Sequence, residues 1–361
     1  MFFGVLVHGA TIEYRPDPLF DTVRVASDHF RMATFFVISG YFTAFVCQRM
    51  TPGAYLRNRA LLLLLPLLSA LLLINPLANW LIYSWHNDPV SLQDYILGGA
   101  WKRPAWGNGV WHLQLWFLFA LIFYALFTPL IVRIAQSGAW QALMQGWSRL
   151  APAVRLGAVA LAMGVLILAC RGLHDAALYR LFAGTRLSWV FNATMNYLPW
   201  FLLGVFAFMD KRLFGALHRL SLAGLVLAAL AYAAILMTAD ALPHVLERVA
   251  YWMSRTAFTF FLITALFNLF SRVFTRPSRA LGFAVDSAFS FYLFHFLIIY
   301  VLANLLGGHV EDLHLLYAII LLLAPPLTLA IHGLLIARVP LLRLMFNGKP
   351  IIRRAAAPAV S

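Results

Sequence analysis

The sequence predicts an all-α polytopic membrane bundle of about ten transmembrane helices, the first of them truncated. Three observations carry this. Hydrophobic residues make up 63% of the 361 positions and charged residues only 11%. The mean hydropathy is +0.82. Soluble domains are about half apolar and about a quarter charged, and a water-facing fold of this size cannot hide so much apolar surface. The apolar residues also fall into runs of roughly 20, the length that crosses a hydrocarbon core.

Those runs fall near 31–49, 60–85, 111–132, 150–170, 189–209, 220–239, 249–271, 283–305 and 313–337. A further apolar stretch, MFFGVLVHGATI, opens the chain and is 12 residues long. At about 1.5 Å per residue it covers roughly 18 Å of a core about 30 Å thick. It reads as a re-entrant stub or as the outer part of a helix, with a start placed too far downstream or a naturally short form as the expected origin. It lacks the basic leader and small-residue cleavage site of a signal peptide. No soluble domain, long linker or internal repeat stands out, so residues 1–361 read as one transmembrane domain, with 338–361 as a basic tail.

The net charge is +14, from 27 Lys and Arg against 13 Asp and Glu. The basic residues come in small groups between apolar runs and form no stripe, which excludes a nucleic-acid-binding face. Their distribution reports topology. The loops on the side of the C-terminus carry 16 positive charges, among them Arg49, Arg57, Lys211, Arg272 and Arg343, against 9 on the other side. Short positive loops stay in the cytoplasm, so both termini are expected there. Eleven of the 13 acids lie on the outer side, with Asp210 inside and Asp286 within a span. Cys47 and Cys170 sit in apolar runs and read as small buried hydrophobes, with no disulfide or zinc spacing.

Ionisable groups inside spans are costly and mark function by default. His8 lies in the stub, five residues before Glu13. It reads either as a structural imidazole or as a general acid or base, since imidazole titrates near neutral pH. His295 carries the same two readings. Asp286 lies nine residues before His295, about 13 Å along a helix, so the two cannot pair. Helix capping or a partner arginine is the expected role of Asp286. His112 and Gln114 open the 111–132 span, and Arg255 lies in the 249–271 span, facing the bundle interior. His332 is expected to be structural or interfacial. Arg31 opens the second span and suits two-pronged recognition of carboxylate or phosphate, or else snorkels to the interface. Ser39-Gly40, in mid-span, permits close helix packing or passage of a thin ligand chain. The loop holding Trp101, Trp106, Gly107, Asn108, Gly109 and Trp111 offers aromatic platforms for sugar rings, which an interfacial aromatic belt explains equally well.

No phosphate-cradling glycine loop, HExxH or GxSxG is present. Pro66, Asn75-Pro76 and Pro325-Pro326 break spans, but not in the matching halves expected of a secondary transporter.

Other runs resemble a known family. FRMATFFVISGYF (30–42), followed by LRNRALLLLLPLL, looks like the signature of the membrane-bound acyltransferase family 3. QLWFLFAL (114–121), YLPWFLLGVFAF (197–208), SAFSFYLFHFLI (287–298) and RVPLLRLMFNGKPIIRR (338–354) follow in order and are similar to the glucan-biosynthesis C branch of that family. The resemblance implies an O-acyltransferase of the bacterial inner membrane with ten spans. It implies transfer of succinyl groups from cytoplasmic succinyl-CoA to osmoregulated periplasmic glucans, with no bound cofactor or metal and no nucleic-acid partner. It carries catalytic roles to His8, Arg31 and His295. Glu13, His112, Gln114, Trp111 and Arg255 are the expected substrate-binding residues. The chain departs from the family in its short N-terminus and in reading QLWFL where relatives often read HLWFL, with His112 two residues earlier. A shift of two residues turns a side chain about 200° around a helix. An acetyltransferase acting on another surface polysaccharide would share every motif but the last, and a glucan transporter is a third reading.

Overall fold

The computed structural model describes residues 2–13, 16–102, 111–183, 185 and 187–349. Every element among them is helical. In chain order these are α1 (Phe2–Gly9), α2 (Pro18–Asp28), α3 (Arg31–Cys47), α4 (Pro52–His86), α5 (Leu92–Leu97), α6 (Leu113–Gln136), α7 (Gly138–Ser148), α8 (Val154–Phe182), α9 (Ser188–Met209), α10 (Lys211–Leu217), α11 (Leu222–Thr238), α12 (His244–Val273), α13 (Arg279–Leu306), α14 (Leu313–Ile336) and α15 (Pro340–Asn347). Eight stretches are long and apolar enough to cross a membrane, and α10 with α11, bent by 70°, makes a broken ninth. Phe3–Ile12 is a shorter apolar helix. The nine long runs read from the sequence are thus all helices, and the opening stretch is the short one. One boundary differs. The second span is preceded by α2, in a stretch read as loop, because its apolar residues alternate with Asp21, Thr22, Arg24 and Ser27 and never form an unbroken run.

The prolines are absorbed without ending their helices. A proline lacks an N–H and collides with the carbonyl four residues back. In α4, wide π-helical turns at Ala60–Leu64 and Ala70–Ile74 stand just ahead of Pro66 and Pro76. Local π adjustment is how a membrane helix re-satisfies backbone groups that water cannot reach.

The chain forms two compact units. The first comprises residues 1–24, 57–118 and 278–361; the second, 25–56 and 119–277. In the first, α1 lies against α13 and α14, and α13 also packs on α4 and α15. Its core holds Val5, Ile82, Phe296, Tyr300 and Ile320. In the second, α3 and α9 form the most extensive helix pair. A Cβ on Gly40 would strike the Phe201 carbonyl, and one on Gly204 the Val37 carbonyl. The two glycines are therefore reciprocal. They let the backbones touch, as small residues do between membrane helices. This is the close packing that Ser39-Gly40 suggested.

Candidate active site

In the first unit the C-terminal end of α1 is built around a backbone problem. The last carbonyls of any helix lack intrahelical donors, and an apolar surrounding supplies no water to replace them. Side chains from four other elements supply the donors. Tyr317 Oη donates to the Leu6 carbonyl at 2.8 Å and Thr11 Oγ1 to that of His8 at 2.6 Å. Arg24 Nη2 donates to the carbonyls of Ala10 and Glu13, at 2.6 and 2.5 Å. Tyr300 Oη and His86 Nε2 both donate to the Thr11 carbonyl, at 2.8 and 3.1 Å, and Trp85 Nε1 to that of Ile12 at 2.9 Å. The short helix is thereby held in place and angle, and His8 with it.

His8 meets His295 of α13, ring centroids 5.2 Å apart, and stands edge-on to Phe296 at 4.8 Å. His295 is 3% exposed. Its Nδ1 lies 2.9 Å from the Phe291 carbonyl and 3.0 Å from that of Tyr292. Carbonyls only accept, so Nδ1 carries a proton, and whenever the ring is neutral its lone pair is on Nε2. Nε2 faces α1 at Gly4, where an added Cβ would stand 3.3 Å away. Two imidazoles, one of fixed tautomer, thus meet where α1 has least bulk.

A second group backs this pair. Asn75 and Asn79 of α4, both buried, donate to the Trp111 carbonyl at 3.0 and 2.9 Å. They hold a tight turn in which Leu113 takes φ +48°, a left-handed conformation that costs a residue with a Cβ. That turn places Gln114 against α13. Tyr292 Oη donates to the Gln114 carbonyl at 2.6 Å, and Gln114 Nε2 reaches the Leu293 carbonyl at 3.4 Å. His112 is buried with its Nδ1 3.2 Å from the Leu113 carbonyl. Gln114 is therefore hydrogen-bonded to the helix bearing His295. Trp111 is 37% exposed. Glu13 joins the site through its carbonyl, held by Arg24. Residues 103–110, which include Trp106, Gly107, Asn108 and Gly109, lie outside the described residues.

The second unit holds a separate pocket, lined by Asp28, Asn196, Tyr197, Trp252, Arg255 and Thr256 among others. Arg171 and Arg255 both lie over the Trp252 ring, with guanidinium carbons 3.8 and 5.2 Å from its centroid. Arg171 Nη1 donates to Asn196 Oδ1 at 2.7 Å. Arg31, at the start of α3, is within electrostatic reach of Asp28 and Tyr197, and its Nε is buried with no hydrogen-bond partner among the described residues. Arg255 and Asp28 line the pocket, Arg171 and Arg31 stand beside its lining residues, and Asp175 is within electrostatic reach of Arg171; forked donors suit an anionic oxygen group.

The profile of the family described as an acyltransferase domain, acyltransferase 3, matches residues 1–333, a span that runs through both units. The chain belongs to that family. It is an acyltransferase by family and a multi-pass membrane protein by its helices. Curated relatives include glucans biosynthesis protein C of Salmonella enteritidis PT4, 23% identical over 342 residues, covering 92% of this chain and 85% of the relative. Another, of the same name from Escherichia coli O81, is 23% identical over 337 residues, covering 90% and 83%. No solved structure matches the chain.

The structure brings His8 and His295 together and sets Gln114 against the helix that bears His295. It places Arg31 and Arg255 in the other unit. Sequence reasoning passed over Asn75, Asn79, His86 and Tyr300. The asparagines carried a signal, two amides at i, i+4 in an otherwise apolar span, which puts both on one helix face.

Proposed function

We propose that this protein is an inner-membrane O-acyltransferase that moves succinyl groups from cytoplasmic succinyl-CoA to periplasmic glucans. The observation that carries the reading is the His8–His295 pair, with the His295 proton fixed on Nδ1. A lone-pair nitrogen at His295 and a second imidazole beside it can take the proton of a sugar hydroxyl as it attacks an acyl carbon, and pass that proton on. Arg31, in the second unit, supplies a guanidinium suited to an anionic group of the donor, such as the succinyl carboxylate. Trp111 and the adjoining loop offer ring faces to glucose units. The name of the curated relatives supports a glucan acceptor. The charge count supports a cytoplasmic donor and both termini in the cytoplasm. The extent of the family match supports one acyltransferase domain across the whole chain.

Mass spectrometry of periplasmic glucans from a deletion strain, beside the same strain carrying this gene, tests the proposal. Succinyl increments lost on deletion and restored by the gene are expected. Acetyl increments instead would change the donor, and no change in the glucan would remove it as acceptor.

A further inference from the structure

Within the first unit, some way along α13 from His295, lies a second polar cluster that the histidine pair does not use. Asp286 and Ser290 sit at i, i+4 on α13. His332 of α14 stands between them, with Nδ1 3.0 Å from Ser290 Oγ and Nε2 3.4 Å from Asp286 Oδ2. Ser290 is 0% exposed and His332 1%. Asp286 does not cap α13, a role taken by Ser278. Instead it receives Arg343 Nη2 and Lys349 Nζ, each at 3.4 Å. Asn347, at the end of α15, accepts the Ser290 hydroxyl proton at 2.6 Å. Beyond it Gly348, at φ +61°, turns so tightly under Leu61 that a Cβ would meet the Leu61 carbonyl. α15 is thus a short helix seated over the serine by two cations and an amide.

We propose that Ser290, His332 and Asp286 form a nucleophile, base and orienting carboxylate that carry the acyl group as a covalent ester, and that α15 is the lid over them. This rests on the acyltransferase reading and adds a step to it. The Ser290 proton has two acceptors within reach, Asn347 Oδ1 and His332 Nδ1. When α15 lifts, only His332 remains, and the serine acquires a base. The polyphosphate of an acyl-CoA competes with Asp286 for Arg343 and Lys349, so the donor itself favours the lifted lid. Ser290 Oγ then attacks the thioester carbonyl while His332 Nδ1 takes its proton. The carbon–sulfur bond breaks, and His332 passes the proton to the departing CoA thiolate. Asp286 holds the imidazolium. In the second half, an acceptor hydroxyl attacks the ester carbonyl and gives its proton to His332. The bond to Ser290 breaks, and His332 gives that proton to the serine oxygen. Ser290 and His295 are five residues apart on one helix, about 7.5 Å of rise and about 140° of turn, so the base beside the serine ester is His332. Burial of the ester excludes water, which would otherwise hydrolyse it.

The test is single-turnover labelling of the full-length protein in detergent with radiolabelled succinyl-CoA and no glucan, quenched and mapped by peptide mass spectrometry. A hydroxylamine-labile label on Ser290 is expected. Ser290→Ala, His332→Gln and the double variant should each lose transfer to glucan by about the same factor, roughly 1,000-fold or more, since members of one catalytic unit are not additive. Ser290→Cys keeps a nucleophile of similar size and should carry the label as a thioester, which separates lost chemistry from lost folding. Wild-type protein that labels glucan but never Ser290, or Ser290→Ala that transfers at the wild-type rate, overturns the relay and leaves the acyltransferase standing. Wild-type protein that transfers no acyl group to glucan from any donor removes both.

Discussion

The two units solve opposite problems. The first fixes neutral groups. Backbone carbonyls at the end of α1 are met by Tyr317, Arg24, Tyr300, His86 and Trp85, and the outcome is an imidazole pair held in one geometry. The second gathers charge. Arg171 and Arg255 lie over one tryptophan, Arg31 has a buried nitrogen with no described partner, and Asp28 is the acid that faces them in the pocket. A rigidly held imidazole pair suits proton transfer, which needs geometry more than field. A cationic pocket suits capture of an anion, which needs field more than geometry. The comparison therefore predicts that damage to the histidine pair of the first unit appears in kcat and damage to the pocket of the second in KM for the acyl donor.

His8→Ala should break the first half of it most severely. General acid–base catalysis contributes about 100- to 10,000-fold. Loss of kcat within that range, at unchanged membrane abundance and donor KM, is expected in a glucan acylation assay. Retained activity would remove His8 from the chemistry and leave the pair structural.

Arg31→Lys tests the second half. A lysine keeps the charge and loses the fork. Donor KM should rise about tenfold or more, since a charge-assisted hydrogen bond is worth about 1.5–3 kcal/mol. The effect should be larger for a succinyl than for an acetyl donor. Equal effects on both would remove the succinyl carboxylate as its ligand, and no effect would leave only its charge in play.

How far these sites could be read in the sequence depends on the range of the interaction. The spans were legible because membrane crossing is a local demand on twenty consecutive residues. His8 and His295 were legible because an imidazole inside an apolar run is conspicuous. Their partnership was not, since nothing local places residue 8 beside residue 295. The division between units was illegible for the same reason: α4 and α6 each pass through both. Asp286 shows the limit well. Its position near the start of α13 suggested a cap or an arginine partner. Arg343 is indeed there, but the cap belongs to Ser278, and the contact with His332 comes from a helix some forty residues on. Hydroxyl and amide donors such as Tyr300 and Asn79 are common in membrane helices and acquire meaning only from the acceptor they meet.

Tyr300→Phe sharpens the claim that the first unit works by rigidity. The variant removes one of two donors to the Thr11 carbonyl and leaves His86 as the other. A partly unsatisfied buried acceptor costs about 1–2 kcal/mol. A lower thermal midpoint is expected, with kcat falling and donor KM unchanged. If kcat is untouched, the ring of donors around α1 holds the fold and not the histidines.

The smallest effect should come from Asp210, which lies between α9 and α10 and takes no part in either site. It caps α10 by accepting from the Arg212 amide at 2.8 Å, and its carboxylate also receives the Arg212 guanidinium. Burial pushes the carboxyl up, but the hydrogen bonds and charge of Arg212 outweigh it and hold the group below its ordinary value of 3.8. A carboxyl whose folded value is depressed stabilises the protein fully above its unfolded value and progressively less as the pH falls through the folded one. Asp210→Ala should therefore cost about 1 kcal/mol at neutral pH, the usual worth of a cap. The gap between variant and wild type should narrow once the pH drops below 3.8, without any change in kcat or donor KM at neutral pH. An activity change of the size expected for Arg31→Lys would mean that the cap of α10 reaches the cationic pocket through α9, and that the second unit, like the first, depends on backbone placement.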